Sequence, residues 1–297
     1  MSTITGILTI DKPIELSSHD VVARVRRLSG TRRVGHAGTL DPLATGVLLL
    51  GIGRATRLLE YLVGLPKTYE TTLRLGQTTN TYDAEGEIVD ERPYTHLTLA
   101  DVQAVLPQFR GPIQQKPPMY SAIKKDGRPL YKLARQGQEV DVPAREVTIY
   151  ELAVQAWQPP ELRLRVACSS GAYVRSLGHD MGQALGCGAY LTALRRTAVG
   201  DFTLAQAVAL ADLTSLNLTD YVLPPEAAVA TLPRLHLPAP EVERLLLGQR
   251  LARESDHALH SLVRVMAEDG RLLGILRAED GYWQPHKMFP PETAVVN

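Results

Sequence analysis

The stretch GHAGTLDPLATG, residues 35–46, holds a single carboxylate in a stiff setting. Asp41 is followed directly by Pro42, three glycines surround the pair, and the apolar run VLLLGIG comes next. An Asp-Pro pair is common in turns and at helix starts, so Asp41 taken alone also fits a purely structural role. The apolar run predicts a buried strand. Asp41 is therefore predicted to lie at the mouth of that strand, where it could act as a nucleophile or stabilise a developing cation.

Known nucleotide and metal motifs do not explain this stretch. Residues 35–46 lack the Gly-Lys-Ser/Thr ending of a phosphate-binding loop, and GIGRAT lacks the third glycine of a dinucleotide fingerprint. The two cysteines, Cys168 and Cys187, enclose one histidine, His179, in a spacing that matches no zinc site. We therefore expect neither a metal nor an organic cofactor.

A formal net charge of zero conceals two basic segments. Residues 106–137 hold seven lysines or arginines and one acid, whereas residues 76–105 hold one arginine and six acids. Five further arginines lie within residues 24–33. Each cluster alone fits a solvated helix face. Together, with acidic segments elsewhere, they fit a groove that binds a polyanion.

Hydrophobic periodicity predicts a mixture of strands and helices. GILTIDKP is typical of a short strand stopped by Pro13, and SSHDVVARVRRLSG of a helix capped by Ser17 or Ser18 and ended by Gly30. KTYETTLRLG predicts a strand, ATRLLEYLVG and AYVRSLGHDMGQALG predict helices, and YLTALRRTAVGDF predicts a helix followed by a strand. The basic, proline-rich GPIQQKPPMYSAIKKDG predicts a long loop that is either a binding element or disordered.

The pattern changes near residue 230. PEVERLLLGQ predicts one helix, and LVRVMAEDGRLLGILRAEDG predicts hairpins with acidic glycine turns. This tail therefore predicts a small, β-rich second domain.

Six stretches resemble, in the same order, the motifs of the TruB family of pseudouridine synthases. GHAGTLDPLATG matches the family's aspartate motif in order and spacing. The other five are GILTIDKPIELSSHDVV (N-terminal motif), KTYE (tyrosine motif), PPMYSAIKKDGRPLYKLARQG (basic insertion), CSSGAYVRSLGHDMG and LRRTAVG. The tail resembles the small PUA-like domain of the bacterial members, so the resemblance covers nearly the whole chain.

This resemblance implies an α+β protein with the pseudouridine synthase fold. That fold is a mixed, mostly antiparallel central sheet flanked by helices, with the RNA cleft across its centre. The resemblance further implies a catalytic domain at residues 1–230 with a thumb-like insertion at about 112–142, and a PUA-like RNA-binding domain at 231–297.

The resemblance also implies an activity. Family members isomerise uridine to pseudouridine in RNA, and the stand-alone bacterial members act on the T-loop uridine of tRNA, position 55. The reaction breaks the bond from N1 to C1′, turns the extruded base and joins C5 to C1′, so only a proton is exchanged. From the residues, attack at C1′, attack at C6 and elimination to a glycal all stay open, while the resemblance favours the glycal.

Three residues are assigned to catalysis by the resemblance. Asp41 is the family's aspartate, and we expect it to be the one carboxylate of the matched motifs placed for this chemistry. Arg175 matches the arginine that pairs with the aspartate and keeps it ionised. Tyr69 matches the tyrosine that stacks on the uracil and is proposed to help remove a proton. Outside their motifs, such an arginine would fit a surface ion pair and such a tyrosine a core position.

Further residues are expected to bind the RNA. His36 resembles the histidine that takes the place of the flipped base, although a lone histidine also fits a structural role. Tyr173 matches a tyrosine that orients the catalytic arginine or packs on the base, and Leu194 matches an apolar contact to the target ring, although a leucine in a helix is core by default. Lys12 is expected to support the aspartate loop. The thumb-like insertion offers phosphate contacts from Lys124, Lys125, Arg128, Lys132 and Arg135.

The expected partner is the T-stem loop of tRNA, with no protein partner. The N-terminus lacks a signal-peptide pattern, and no apolar run approaches the roughly 18 residues that span a bilayer. We therefore expect a cytoplasmic monomer. Two other functions stay open: a pseudouridine synthase that depends on a guide RNA, which the lack of basic tails disfavours, and a tRNA-folding chaperone.

Overall fold

The computed structural model describes residues 4–121, 123–125, 127–134, 136, 138, 140–253 and 258–290. Short 3₁₀ helices lie at Gly53–Leu58, Leu106–Phe109, Leu204–Gln206, Leu210–Asp212, Leu218–Tyr221 and Pro225–Val229. The α-helices are α1 (Ser18–Ser29), α2 (Leu59–Val63), α3 (Leu99–Val105), α4 (Leu130–Ala134), α5 (Val174–Ala184) and α6 (Ala239–Leu246). The strands are β1 (Gly6–Lys12), β2 (Val34–His36), β3 (Thr45–Ile52), β4 (Lys67–Leu75), β5 (Gln77–Thr79), β6 (Ile88–Glu91), β7 (Gly111–Gln115), β8 (Lys124–Lys125), β9 (Arg128–Pro129), β10 (Arg145–Gln158), β11 (Glu161–Cys168), β12 (Ala189–Val199), β13 (Phe202–Thr203), β14 (Val208–Ala209), β15 (Val222–Leu223), β16 (Arg234–Leu235), β17 (Leu251–Ala252), β18 (Leu262–Met266), β19 (Leu272–Glu279) and β20 (Tyr282–Met288).

The larger sheet has eleven strands in the part of the chain that the structure describes. Its main path runs β14-β1-β3-β12-β4-β11-β10-β7, with β2, β13 and β15 paired along its margins. Within that described sheet, the β1–β14 and β3–β12 pairs are parallel and the remaining pairs are antiparallel. A mixed, mostly antiparallel sheet flanked by helices confirms the predicted α+β class.

Strand β3 is buried on both faces, as its unbroken apolar sequence predicts. Leu48 and Leu50 face the core that also receives helices α1, α3 and α5. Val47 and Leu49 face a second core, which includes residues of α2. All four side chains are fully buried. The loop that carries Asp41 therefore enters the most enclosed part of the sheet.

Helix α1 begins and ends where its sequence predicts. The Ser17 hydroxyl accepts a hydrogen bond from the Asp20 amide and the Asp20 carboxylate accepts one from the Ser17 amide, which forms a capping box. Gly30, with φ of 66°, ends the helix in the left-handed conformation. The buried face of α1 covers the sheet next to the Asp41 loop.

The segment predicted as a helix within YLTALRRTAVGDF is instead strand β12. This strand pairs with β4 along its whole length and with β3 at Arg195 and Arg196. Two β-bulges interrupt its register, near residue 192 and residue 197. Bulges break the strict alternation of a strand, so the apolar spacing in this segment also fits a helix. Leu194 therefore lies on a strand of the central sheet.

The predicted helix ATRLLEYLVG forms only in part. Its first half is the 3₁₀ helix Gly53–Leu58, and its second half is the five-residue helix α2.

The segment between β7 and β10 forms a small unit with its own core. Strands β8 and β9 pair as a hairpin that leads into α4. Leu130, Leu133 and Val142 are buried together, and Met119 and Ile123 pack against them. These apolar contacts hold the described part of the predicted thumb in shape.

A second sheet of five strands, in the order β16-β18-β19-β20-β17, follows in the chain. Its own core contains Val263, Val265 and Trp283, with Leu245 from α6. On its other side, Ile275 and Phe289 join the core behind β3. The guanidinium carbons of Arg54 and Arg57 lie 5.6 and 5.1 Å from the centre of the Phe289 ring. The small sheet thus packs on the back of the large one.

Gly46 allows β3 and β12 to approach each other closely. Its φ is +100°, and a Cβ atom there would overlap the carbonyl oxygen of Arg196. Gly46→Ala is therefore expected to lower the free energy of unfolding by about 3 kcal/mol, since it combines backbone strain with a clash against main chain. Urea denaturation measures this change.

Gly64→Ala is the matched control for that substitution. Gly64 has φ of −72° and an added Cβ would meet no atom within 4 Å. Its stability should stay within about 0.5 kcal/mol of the wild type. Equal stability of the two variants would show that the close approach at Gly46 is not a constraint.

Candidate active site

A cavity of about 300 Å³ opens at the centre of the large sheet. The Asp41 loop, β4, the start of α5 and β12 form its walls. Five residues predicted from the sequence line it together, namely Asp41, Tyr69, Tyr173, Arg175 and Leu194. The residues come from four separate stretches of chain, and the sheet brings them to one place.

The Asp41 loop is fixed by buried hydrogen bonds to its main chain. The Ser18 hydroxyl accepts from the Leu40 amide at 2.8 Å and lies 3.0 Å from the Leu40 carbonyl. The Ala44 amide donates to the Asp41 carbonyl at 3.0 Å. The loop is therefore held on both sides of the carboxylate.

Lys12 is fully buried beneath this loop. Its ammonium donates to the carbonyls of Leu16 at 2.6 Å, Pro13 at 2.8 Å and Pro42 at 3.4 Å. Burial lowers the pKa of Lys12 to about 8, although the nearby Asp41 carboxylate acts in the opposite direction. All three of these acceptors are main-chain carbonyls, so Lys12 holds the backbone around the Asp41 loop, as the sequence predicts.

Arg175 lies between two carboxylates. One terminal nitrogen, Nη2, is 3.1 Å from Oδ2 of Asp41, and the other, Nη1, is 2.9 Å from Oδ2 of Asp83. The same guanidinium donates to the carbonyls of Tyr120 at 2.8 Å and Thr81 at 3.2 Å. The side chain of Asp41 is 41% exposed, whereas those of Arg175 and Asp83 are 7% and 2% exposed. Of the two carboxylates that pair with Arg175, Asp41 is thus the one that a substrate can reach.

Opposing electrostatic effects act on Asp41. Burial raises the pKa of its carboxyl, and the negative charge of Asp83 adds to that rise. The positive charges of Arg175 and Lys12 oppose it. The ionised form of Asp41 therefore depends on its pairing with Arg175.

Asp83 was missed in the sequence, where it lies in the acidic segment assigned away from any anion-binding groove. Its Oδ1 accepts from the Thr81 hydroxyl at 2.5 Å and from the Glu85 amide at 3.1 Å. Its other oxygen binds Arg175, so both oxygens of the carboxylate have partners. The available signal was the turn-forming string TYDAEG, which predicts a turn but gives no indication of what the aspartate contacts.

Tyr69 is buried on the side of β4 that faces the cavity, and 8% of the residue is exposed. Burial raises the pKa of its phenol, and the neighbouring Arg196 guanidinium opposes that rise. Lys67, two residues earlier, is also buried, and its amine donates to the carbonyls of Val63 and Leu65 at 2.5 and 2.6 Å. Two cations that the sequence did not single out, Lys67 and Arg196, therefore lie beside the site tyrosine.

Tyr173 is anchored by its main chain. The Gln115 side chain donates to its carbonyl at 2.9 Å and accepts from its amide at 2.7 Å. Tyr173 precedes the first turn of α5, which carries Arg175. Leu194, on the neighbouring strand β12, also lines the cavity. These two side chains give the cavity an aromatic and an aliphatic surface.

His36 lies outside the wall of this cavity. It forms the last residue of β2, and its ring meets that of His19 edge-on, with centroids 5.4 Å apart. Burial lowers the pKa of His36, so its imidazole is neutral near pH 7. Within the described ranges, its Nδ1 atom has no hydrogen-bond partner. The structure thus places His36 at the start of the Asp41 loop and not beside the carboxylate.

The predicted phosphate contacts are only partly described. Arg128 is exposed on β9. The side chains of Lys124, Lys125 and Lys132 lie outside the described part of the structure, as does the whole of Arg135.

Two kinds of feature are absent from the described residues. No helix in them is long and apolar enough to cross a membrane. No group of three or more histidine, cysteine or acidic side chains, in the same described set, is arranged to hold a metal ion.

Comparison with known families matches three consecutive parts of the chain. The model of the TruB family pseudouridylate synthase (N terminal domain) matches residues 26–174. The tRNA pseudouridylate synthase B C-terminal domain matches residues 175–230, and the C-terminal model of pseudouridine synthase II TruB matches residues 233–289.

Individual relatives match over nearly their whole length. The tRNA pseudouridine synthase B of Thermobifida fusca (strain YX) is 46% identical over 294 residues, which cover 96% of this chain and 98% of that protein. The protein of the same name from Pseudomonas fluorescens (strain Pf0-1) is 44% identical over 297 residues, 97% of each chain. A chain in the crystal structure of a Cbf5-Nop10-Gar1 complex superposes with a TM-score of 0.76 and 26% identity, covering 96% of this chain and 85% of that chain. This chain therefore belongs to the TruB family of pseudouridine synthases.

Proposed function

We propose that this protein isomerises uridine to pseudouridine in tRNA, at position 55 of the T-loop. The curated relatives are named as tRNA pseudouridine synthases, which supports tRNA as the substrate. The observation that carries the proposal is Asp41, an accessible carboxylate paired with Arg175 in a cavity beside a buried tyrosine. A pyrimidine extruded from a loop needs such an enclosed pocket.

The reaction requires one carboxylate near the ribose. The N1–C1′ bond breaks, the detached uracil rotates in place, C5 joins C1′, and the proton at C5 is replaced by one at N1. In the glycal route the carboxylate removes the proton at C2′ as the N1–C1′ bond breaks, and the proton returns to C2′ when C5 bonds to C1′. A carboxyl with a raised pKa is a stronger base than an ordinary aspartate. Asp41 combines that property with a fixed position, which supports its role as the catalytic carboxylate.

The remaining cavity residues hold the base during its rotation. A uracil stacked on the Tyr69 ring can rotate in its own plane, whereas a uracil held by fixed hydrogen bonds would have to break them. Leu194 supplies an apolar contact from the neighbouring strand, and Tyr173 lines the cavity with Arg175. The proposed catalytic residues are Asp41, Tyr69 and Arg175.

RNA binding is assigned to the surfaces around this cavity. We assign His36 to the gap left by the flipped base, because it precedes the Asp41 loop and retains an unused ring nitrogen among the described contacts. Lys124, Lys125, Arg128, Lys132 and Arg135 of the thumb, residues 112–142, are assigned to phosphates. The division into a catalytic unit at 1–230 and a PUA-like RNA-binding unit at 231–297 belongs to the same proposal. The protein is proposed to act alone as a cytoplasmic monomer.

Asp41→Asn is expected to abolish pseudouridine formation on an unmodified tRNA transcript while tRNA affinity stays within a few fold. The substitution removes the base but keeps the shape of the loop. Product analysis after nuclease digestion measures turnover, and filter binding measures affinity. A transcript with cytidine at the T-loop position should give no product with any variant.

Asp90→Asn provides the control, because Asp90 forms an exposed ion pair with Arg92. It should retain wild-type turnover. Loss of affinity together with turnover in Asp41→Asn would return Asp41 to a structural role. Tight binding without product by the wild-type protein would favour a tRNA chaperone or a guide-dependent enzyme.

Arg175→Gln is expected to move the acid limb of the pH–rate profile to higher pH. Burial already raises the pKa of Asp41 and Arg175 opposes that rise, so its removal raises the pKa further. Turnover needs the ionised carboxylate, and it falls as pH drops through this pKa. Single-turnover rates at saturating tRNA, from mildly acidic to neutral pH, measure the shift.

Thermal melting at each pH accompanies this profile, since Asp83 loses its buried partner in the variant. Arg165→Gln breaks an exposed pair with Glu151 and should keep the wild-type acid limb. If the acid limbs of Arg175→Gln and the wild type superimpose, Arg175 does not hold down the pKa of Asp41 during turnover.

Affinity for tRNA is expected to fall steeply with salt, because phosphate contacts release bound counterions. Arg128→Gln should reduce the slope of log Kd against log salt by about one. Arg92→Gln, in the acidic segment, should leave the slope unchanged. A flat salt response in the wild type would contradict a phosphate-binding groove.

A further inference from the structure

Arg196 is the bulkiest fully buried side chain among the described residues, with 1% of it exposed. Its Nε donates to the Val47 carbonyl at 2.7 Å. Its Nη2 and Nη1 donate to the carbonyls of Gly38, at 3.1 Å, and Thr39, at 3.4 Å. One guanidinium therefore joins strand β3 to the loop that carries Asp41.

The same guanidinium lies beside the catalytic tyrosine. Arg196 and Tyr69 are register partners across the β4–β12 pair, which places their side chains on the same face of the sheet, and both residues line the cavity. Arg196 thus lies between the Asp41 loop on one side and the base-stacking ring on the other. In the part of the chain that the structure describes, no carboxylate forms an ion pair with it.

An unpaired buried guanidinium is a costly way to hold a sheet together. Removing a cation from water without a compensating anion costs several kcal/mol, so an apolar side chain would usually serve the fold better. A lysine would be a poor replacement, because its single nitrogen lacks the planar fork that reaches several acceptors at once. The contacts of Arg196 are concentrated on the site, which gives a reason for its presence there.

We propose that Arg196 is a positioning residue that fixes the distance between the Asp41 carboxylate and the Tyr69 ring. Through the carbonyls at residues 38 and 39 it sets the path of the loop, and as the cross-strand neighbour of Tyr69 it sets the position of the ring. The uracil must fit between these two groups, so their spacing decides whether the ribose meets the carboxylate. This inference rests on the proposed function and extends it to a residue that the sequence did not single out.

Arg196→Lys tests the proposal. We expect its single-turnover rate at saturating tRNA to fall at least tenfold while the Kd for tRNA stays within about threefold, since misplacement of reacting groups affects rate more than binding. In the Tyr69→Phe background, which lacks the phenol beside the guanidinium, the same substitution should cost a much smaller factor. A role confined to general stability would give the same factor in both backgrounds.

Arg110→Lys is the matched control. Arg110 also donates two hydrogen bonds to one main-chain carbonyl, that of Leu152, at 3.1 and 2.7 Å, but it does not line the cavity. Its rate should equal that of the wild type. Thermal melting of all variants shows whether each is folded at the assay temperature.

Guanidinium rescue provides a second readout. Arg196→Ala leaves space beneath Tyr69, and added guanidinium chloride at millimolar concentration should restore part of its rate, while equal sodium chloride should not. Rates for Arg196→Lys within threefold of the wild type, or equal losses in both backgrounds without rescue, would overturn the proposal. An inactive wild type would instead overturn the proposed function.

If neither variant folds, the wild-type protein supplies the decisive measurement. By NMR, the Arg196 Nε proton should exchange with water at least tenfold more slowly than that of exposed Arg110, and slow further when tRNA binds. Exchange as fast as that of Arg110, or unchanged by tRNA, would overturn the proposal.

Discussion

The structure of the site depends on one buried cation, Arg175, held between two carboxylates of unequal exposure. Asp83 neutralises the guanidinium from the inside, where water cannot compete, and uses its remaining lone pairs on the Thr81 hydroxyl and the Glu85 amide. Asp41 approaches from the outside and keeps a free edge toward the cavity. The inner pair makes the arginine immobile, and the immobile arginine can then hold a carboxylate whose burial would otherwise favour the neutral form.

A second constraint is the burial of β3 on both faces. A strand enclosed in this way cannot shift in register without moving two cores, so the loop that precedes it starts from a fixed point. Two cations donate hydrogen bonds to the carbonyls of that loop. Lys12 binds the carbonyl of residue 42, and Arg196 binds those of residues 38 and 39. Rigidity of Asp41 therefore comes from the sheet, and the Asp-Pro pair only completes it.

Local sequence was sufficient for those parts of the site that one segment determines. The Asp41 loop, β4 with Tyr69 and the start of α5 with Arg175 all form where their patterns indicate. Asp83 could not be found in this way, because its contact with Arg175 joins residues 92 positions apart and exists only after the sheet has formed. Part of strand β12 was mistaken for a helix, because its bulges interrupt the alternation of apolar and polar residues. For the same reason Arg196 was not recognised as a site residue, since its hydrogen bonds reach carbonyls about 150 residues away.

Arg175 also links the carboxylate to the base of the thumb. The nitrogen that pairs with Asp41 is the one that donates to the carbonyl of Tyr120, which leads into the small apolar unit around α4. That nitrogen carries two hydrogens, one for each acceptor, so the position of residue 120 helps to orient the guanidinium that Asp41 meets. The proton affinity of the carboxylate is consequently not a property of the pocket alone. It depends as well on the position of the main chain at Tyr120.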